Sequence, residues 1–295
     1  MNGSDSSPLA MDSDVEQPHV LACTEVWGGN RSTVRTVKLP SLSAWVCSSP
    51  LDSEVGGGDL HFFSVCDYDV LSRVALADVS GHGREVNEVT QKLHGLMREN
   101  VNRWDQSDFM RGLNQAFGRR GEGKYATAIV LSYNRVKMRL SFSNAGHLPP
   151  LWYHAGSRTW DWLEETAEST SQKLSGLPVG LIPGTDYRQT VVALEPLDLL
   201  VLYTDGLTEA ENANGEDLGR NQLMEWARRI PVDSPSAAGR ELWERLQKFR
   251  GSHRHDDETI LVLQREQEFL PAMLGGVARS YVAGHWKKGR KQTKP

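Results

Sequence analysis

Four aspartates lie at the ends of apolar runs of strand length, and this pattern constrains the chain most. Asp59 closes EVGGGD and opens LHFFSVC; Asp78 ends RVALAD and begins DVSGHG. Asp205 ends LDLLVLYTD and precedes Gly206, and Asp256 lies in HRHDDETILVL just ahead of an apolar run. Short apolar runs bounded by turn residues read as strands. Carboxylates at strand ends, with glycines that allow close backbone approach, can converge into an oxygen-rich site for hard cations. Asp and Gly are common at any single turn, so the weight rests on four occurrences in one setting.

The remaining pattern places these aspartates in a layered fold. Strand-like runs cover His19 to Val26, Leu42 to Cys47, Leu60 to Cys66 and Arg73 to Ala77. A helix is expected from Arg84 to Trp104, because Val86, Val89, Leu93, Leu96, Met97, Val101 and Trp104 recur at intervals of three and four. A second helix is expected from Ser107 to Phe117, with Ser107 as its N-cap. Strands resume at Tyr125 to Tyr133 and Val136 to Phe142, joined at Asn134 and Arg135 as a tight hairpin, and at Leu151 to His154. A loop rich in Gly, Pro, Ser and Thr follows from Glu164 to Pro183, then strands at Tyr187 to Leu194 and Leu199 to Tyr203. Helices at Gly219 to Arg229 and Ser236 to Phe249 precede a last strand, Thr259 to Gln264. Strand blocks separated by helix pairs suit an α+β layered fold better than a doubly wound parallel sheet. The expected organisation is an acidic tail (1–18), one domain (19–265) and a basic tail (266–295).

Composition excludes several classes. The 295 residues carry a net charge of −5, which argues against a general nucleic-acid binder. No run approaches the roughly 18 apolar residues of a membrane span, and the acidic N-terminus lacks the basic-then-apolar pattern of a signal peptide. Cys23, Cys47 and Cys66 are odd in number and widely spaced, which favours a reducing compartment over a disulfide framework. A cytoplasmic location is expected. The glycine-broken, Lys-rich C-terminal tail reads as disordered or docking, and membrane-surface attachment is disfavoured.

DVSGHG, SNAGHLPP from Ser143 and LLVLYTDGLTEAEN from Leu199, with EVGGGD and DDETILVL in the same order, resemble the bacterial SpoIIE/RsbU-type branch of the PP2C-like serine/threonine phosphatases. The resemblance spans roughly residues 19–265. It implies an α-β-β-α sandwich of two antiparallel sheets flanked by helix pairs. It also implies a hydrolase of phosphoserine or phosphothreonine that works by attack of a metal-bridged water. Two Mn²⁺ or Mg²⁺ ions are implied: Asp78 bridges them, the Val79 carbonyl serves one, Asp205 and Asp256 hold the other, and Asp59 acts directly or through water. Asp78 and Asp205 are then the catalytic pair, and Asp257 occupies a place often held by Asn. Two ions about 3.5–4 Å apart acidify a shared water and stabilise in-line attack on phosphorus, and oxygen ligands suit Mg²⁺ and Mn²⁺. The implied partner is a phosphorylated protein, by analogy a small anti-sigma-factor antagonist; a homodimer stays open.

Departures are visible too. His82 lies four residues after Asp78, two further than the general-acid histidine of the eukaryotic branch, so that role is not transferred. The resembled branch lacks the phosphate-gripping Arg near the first motif, and none stands here between Val55 and Leu60. His147 reads mainly as a turn or packing residue, with substrate contact as the alternative. Lys173 to Leu181 resembles the family's flap. Gly56, Gly57 and Gly58 lack the GK[ST] of a P-loop. A haloacid dehalogenase-like reading of YTDGLT fails because its nucleophilic Asp would fall at Tyr203. An HD-type phosphohydrolase is disfavoured because His255-Asp256 precedes a strand. The rival from another class is a non-enzymatic, partner-sensing scaffold of the same fold. The leading tail is too short for a sensor domain, so regulation in trans or by substrate supply is expected.

Overall fold

The computed structural model describes residues 17–52, 55–81, 83–165 and 176–267. The N-terminal tail to position 16, His82, the start of the flap-like segment and the basic tail from position 268 lie outside these residues.

The first block comprises β1 (His19–Val20), β2 (Val26–Gly29), β3 (Thr33–Leu39), β4 (Leu42–Ser49), β5 (Asp59–Cys66) and β6 (Leu71–Val79). Helices α1 (Arg84–Glu99) and α2 (Gln106–Arg120) follow. Then come β7 (Ala126–Asn134), β8 (Arg139–Ala145), β9 (Leu151–His154), β10 (Thr159–Trp162), β11 (Thr190–Ala193) and β12 (Leu199–Tyr203). The chain closes with α3 (Asp205–Thr208), α4 (Gly219–Ala227), α5 (Pro235–Arg250) and β13 (Glu258–Arg265). Among the described residues these strands form two sheets, ordered β1-β3-β4-β13-β12-β9-β10 and β11-β8-β7-β6-β5-β2. Neighbours are antiparallel except β1 and β3, which pair in parallel.

Residue alternation builds the layers. In β5, Phe63 points between the sheets and Phe62 points out towards α1 and α2. In β4, Ala44 and Val46 face the other sheet, while Trp45 and Cys47 pack outward with Leu242 and Trp243 of α5. Burial on both faces explains why the central strands read as nearly continuous apolar runs. Each fully buried Phe or Leu contributes about 1.5–3 kcal/mol. The result is the expected α+β sandwich of two sheets flanked by helix pairs.

The structure changes several expectations, among them the single run His19 to Val26, which is only β1 at its start and the first residue of β2 at its end. The long helix stops at Glu99, not Trp104, because buried Arg73 of β6 donates to the carbonyls of Val101 (3.1 Å) and Arg103 (2.7 Å). Those carbonyls are taken by a cation that periodicity cannot reveal, and Trp104 is left exposed. The N-cap of α2 is Asp105, not Ser107; its side chain accepts from Asp108 N at 2.8 Å. The β7–β8 connection has four residues, 135–138, because Asn134 Oδ1 accepts from Val136 N and Lys137 N and turns the chain wider.

Candidate metal centre

Pairing alone brings the first two aspartates together. Asp59 and Asp78 are direct cross-strand partners of β5 and β6, and Asp78 is opposite Thr127 of β7. Asp205 begins α3 where β12 ends, and Asp256 stands two residues before β13, the partner of β12. The site therefore straddles the same end of both sheets. It grades from buried Asp59, 2% exposed, through half-buried Asp78 and Asp205 to exposed Asp256.

The glycines are required by close approach. A Cβ placed on Gly57 would lie 2.0 Å from Asp257 Oδ2. One on Gly58 would lie 2.8 Å from the Val79 carbonyl oxygen and 3.1 Å from Asp78 Oδ1. One on Gly206 would lie 2.0 Å from the Asp257 carbonyl oxygen. Backbone thus passes where side chains would otherwise stand, and the Val79 carbonyl is held beside the Asp78 carboxyl.

Hydrogen bonding divides the acids by role. Asp257 accepts from Gly58 N at 2.6 Å and Leu51 N at 2.7 Å, so it braces the glycine turn. Asp59 Oδ2 accepts from Thr204 Oγ1 at 2.7 Å, and Thr204 Oγ1 in turn accepts from Thr259 N at 3.1 Å. Burial first, then the carboxylates of Asp205, Asp256 and Asp257 together with Glu209, pushes Asp78 up to about 7. Burial and Asp78 raise Asp59 well above the usual carboxylate range. Among the described residues, no three His, Cys, Asp or Glu side chains are drawn to the spacing of a preformed cation site. This fits like charges held near one another without a cation among their main neighbours. A donor set of carboxylates and one carbonyl suits hard divalent ions.

The surroundings contain residues that the motifs did not single out. Thr204 and Thr259 orient Asp59, and Glu209, itself raised by burial and by Asp205 and Asp256, lines a cleft of about 340 Å³ beside Asp256. Thr204 was readable only as the residue before Asp205, and Glu209 only as an acid four residues after it. His147 is buried; its Nδ1 lies 3.0 Å from Thr127 Oγ1, and its backbone N–H donates to Asn144 Oδ1. Burial lowers its imidazole to about 4, so it stays neutral. The latter part of the flap-like segment is fastened to β7, Val179 exchanging two backbone hydrogen bonds with Ala126.

A family model described as stage II sporulation protein E (SpoIIE) matches residues 71–266. The chain is 25% identical over 256 residues to phosphoserine phosphatase RsbU of Bacillus subtilis (strain 168), covering 85% of this chain and 72% of RsbU. It matches part of the structure of the RsbU and RsbW domains of Rv1364c from Mycobacterium tuberculosis, at TM-score 0.65 and 22% identity. That match covers 79% of this chain and 63% of the other. The catalytic domain of serine/threonine protein phosphatase PstP, in complex with two manganese ions, matches at TM-score 0.54 and 16% identity, covering 77% of this chain and 99% of that one. On the extent of the family match, with the sandwich and the acidic strand ends already in place, the chain belongs to the SpoIIE family of PP2C-type serine/threonine phosphatases.

Proposed function

We propose that this chain removes phosphate from phosphoserine or phosphothreonine of a bacterial signalling protein, with Asp59, Asp78, the Val79 carbonyl, Asp205 and Asp256 holding two Mn²⁺ or Mg²⁺ ions. The observation that carries the reading is the meeting of Asp59 and Asp78 as cross-strand partners, with the Val79 carbonyl beside Asp78 and with burial and surrounding acids raising both carboxyls. A group so placed is stabilised in its charged form by a divalent cation far more than by water. When bound, such ions supply Lewis acidity towards a water and the phosphoryl oxygens.

The protein's own groups do the positioning. Thr204 donates to one oxygen of Asp59, and Thr259 also hydrogen-bonds its carboxyl, so the group is held in place. Asp257 holds the glycine turn through Gly58 N, so the Val79 carbonyl and Asp78 keep their relative place. Exposed Asp256 and Glu209 flank the open cleft through which a phosphorylated segment enters. Substrate choice is proposed from kinship: a small anti-sigma-factor antagonist, in keeping with the RsbU relationship. The domain organisation expected from sequence, one catalytic unit over 19–265 between two tails, is retained as part of this proposal, as is a cytoplasmic setting. No described helix is long and apolar enough to cross a membrane.

The deciding experiment is hydrolysis of p-nitrophenyl phosphate with Mn²⁺, with EDTA, and by Asp78→Ala. Activity confined to metal-loaded wild type supports the phosphatase. Wild type without activity under any divalent ion would favour the partner-sensing scaffold.

A further inference from the structure

The pairing of β6 with β7 continues past the end of the strands. Ser80 N donates to the Tyr125 carbonyl at 2.9 Å, and Tyr125 N donates to Ser80 Oγ at 3.2 Å. The next facing pair is Gly81 and Lys124. Gly81 has φ +105°, and Lys124 Nζ lies 3.1 Å from the point a Cβ on Gly81 would occupy. The ammonium therefore fills the room that the missing side chain leaves.

Val86 relates this ammonium to the acidic centre. Its Cγ2 lies 3.2 Å from the same point on Gly81, while its Cγ1 lies 3.3 Å from the corresponding point on Gly58, where Asp78 Oδ1 is 3.1 Å away. Lys124 and the Asp78 carboxyl thus flank one valine side chain. Lys124 is half-buried, yet its side chain has no hydrogen bond or ion pair among the described residues. Nearby Glu122 is engaged elsewhere, by Lys92. Helix α1 begins just beyond, at Arg84, with Gly83 as its N-cap and no side chain capping its first turn.

Among the described residues the Lys124 ammonium has no partner, and it lies across Val86 from the Asp78 carboxyl. A phosphomonoester dianion entering the acidic centre meets like charge on the protein side, and a lysine at its border offers three rotatable donors to the outer oxygens. We propose that Lys124 Nζ binds the non-bridging phosphoryl oxygens of the substrate, and that Gly81 is small so that the ammonium can reach them. The inference rests on the phosphatase reading and adds a substrate-contacting residue to it. No bond to Lys124 is made or broken.

The test uses the full chain loaded with Mn²⁺. Inorganic phosphate is titrated calorimetrically into wild type, Lys124→Gln and Lys124→Arg, with p-nitrophenyl phosphate kinetics, Mn²⁺ affinity and Tm measured alongside. The expected result is phosphate binding weakened about 10-fold and kcat/KM lowered about 10–100-fold in Lys124→Gln. Mn²⁺ affinity and Tm stay near wild type, and Lys124→Arg recovers most of the loss. Phosphate affinity and kcat/KM within about twofold of wild type in Lys124→Gln would overturn it. So would a loss of Mn²⁺ affinity or of Tm that accounts for the defect. Wild type that turns over no phosphoester defeats the phosphatase reading instead, and the phosphate titration still decides Lys124.

Discussion

Two acids at strand ends, Glu258 and Asp78, are treated in opposite ways. Glu258, 2% exposed at the start of β13, is met by Arg250, whose Nε lies 2.6 Å from Oε1, and by Arg254 at 3.4 Å. Burial still raises its carboxyl, but the two guanidinium groups oppose the shift. Asp78 is also raised by burial, and there the neighbouring carboxylates add to the shift. The side chains that shift Glu258 thus include two cations, whereas the main ones that raise Asp78 are all carboxylates. Like charges held near one another cost stability, and the cation site proposed above would relieve that cost.

The largest effect expected from breaking this contrast is on turnover. Asp78→Asn should lower Mn²⁺-dependent hydrolysis by on the order of 10³-fold while raising the Tm of the metal-free protein at pH 8. An Asp78→Asn protein that is both inactive and less stable without metal would show that Asp78 is a structural acid like Glu258.

At the compensated acid the sign reverses. Glu258→Gln leaves Arg250 and Arg254 facing a neutral amide, and breaking such a buried pair costs about 3 kcal/mol or more. Urea unfolding should show that loss, and the Mn²⁺ requirement should be unchanged.

The two sites should also part in their response to pH. The Asp78 carboxyl titrates near 7 in the folded protein, against 3.8 for the free side chain. Its contribution to stability is therefore fully present below about pH 4 and lost as pH rises through about 7. Unfolding free energies of metal-free wild type and Asp78→Asn, compared from pH 5 to 8, should diverge by a few kcal/mol, with wild type falling behind as pH rises. Saturating Mn²⁺ should remove most of the divergence for wild type. A constant difference across that range would place the Asp78 titration outside the window.

The smallest effect comes from an acid that belongs to neither group. Asp105→Ala removes the side-chain cap of α2 and should cost about 1 kcal/mol, with kcat/KM unaltered. A larger loss of activity would mean that the entry of α2 helps shape the centre.

Legibility in the sequence followed the range of the interactions. β12, Leu199–Tyr203, matches its apolar run residue for residue, since both faces are buried and the run has clear ends. β3 and β10 were missed although Val37 and Leu39 stand two apart, as do Trp160 and Trp162. Both are half-exposed strands with charged or polar neighbours, so their periodicity is shallow. Helix α1 was read too long because nothing local announces that Arg73, some thirty residues earlier, takes the carbonyls of Val101 and Arg103. At the centre, Asp59, Asp78, Asp205 and Asp256 were visible as strand-end acids, whereas Asp257 as a brace, Thr204 as the partner of Asp59 and Lys124 over Gly81 were not. Each of those three acts across more than forty positions of chain.

By itself, then, the sequence determined the alternation of strand blocks with helix pairs, the layered class and the acids at the strand ends, because these follow from hydrophobic period and from what turns demand of Gly and Asp. Only the tertiary structure decided which acid is braced, which is left facing others of its kind, and where the Lys124 ammonium comes to rest. Those outcomes depend on cross-strand register and on burial, which no local run of residues contains.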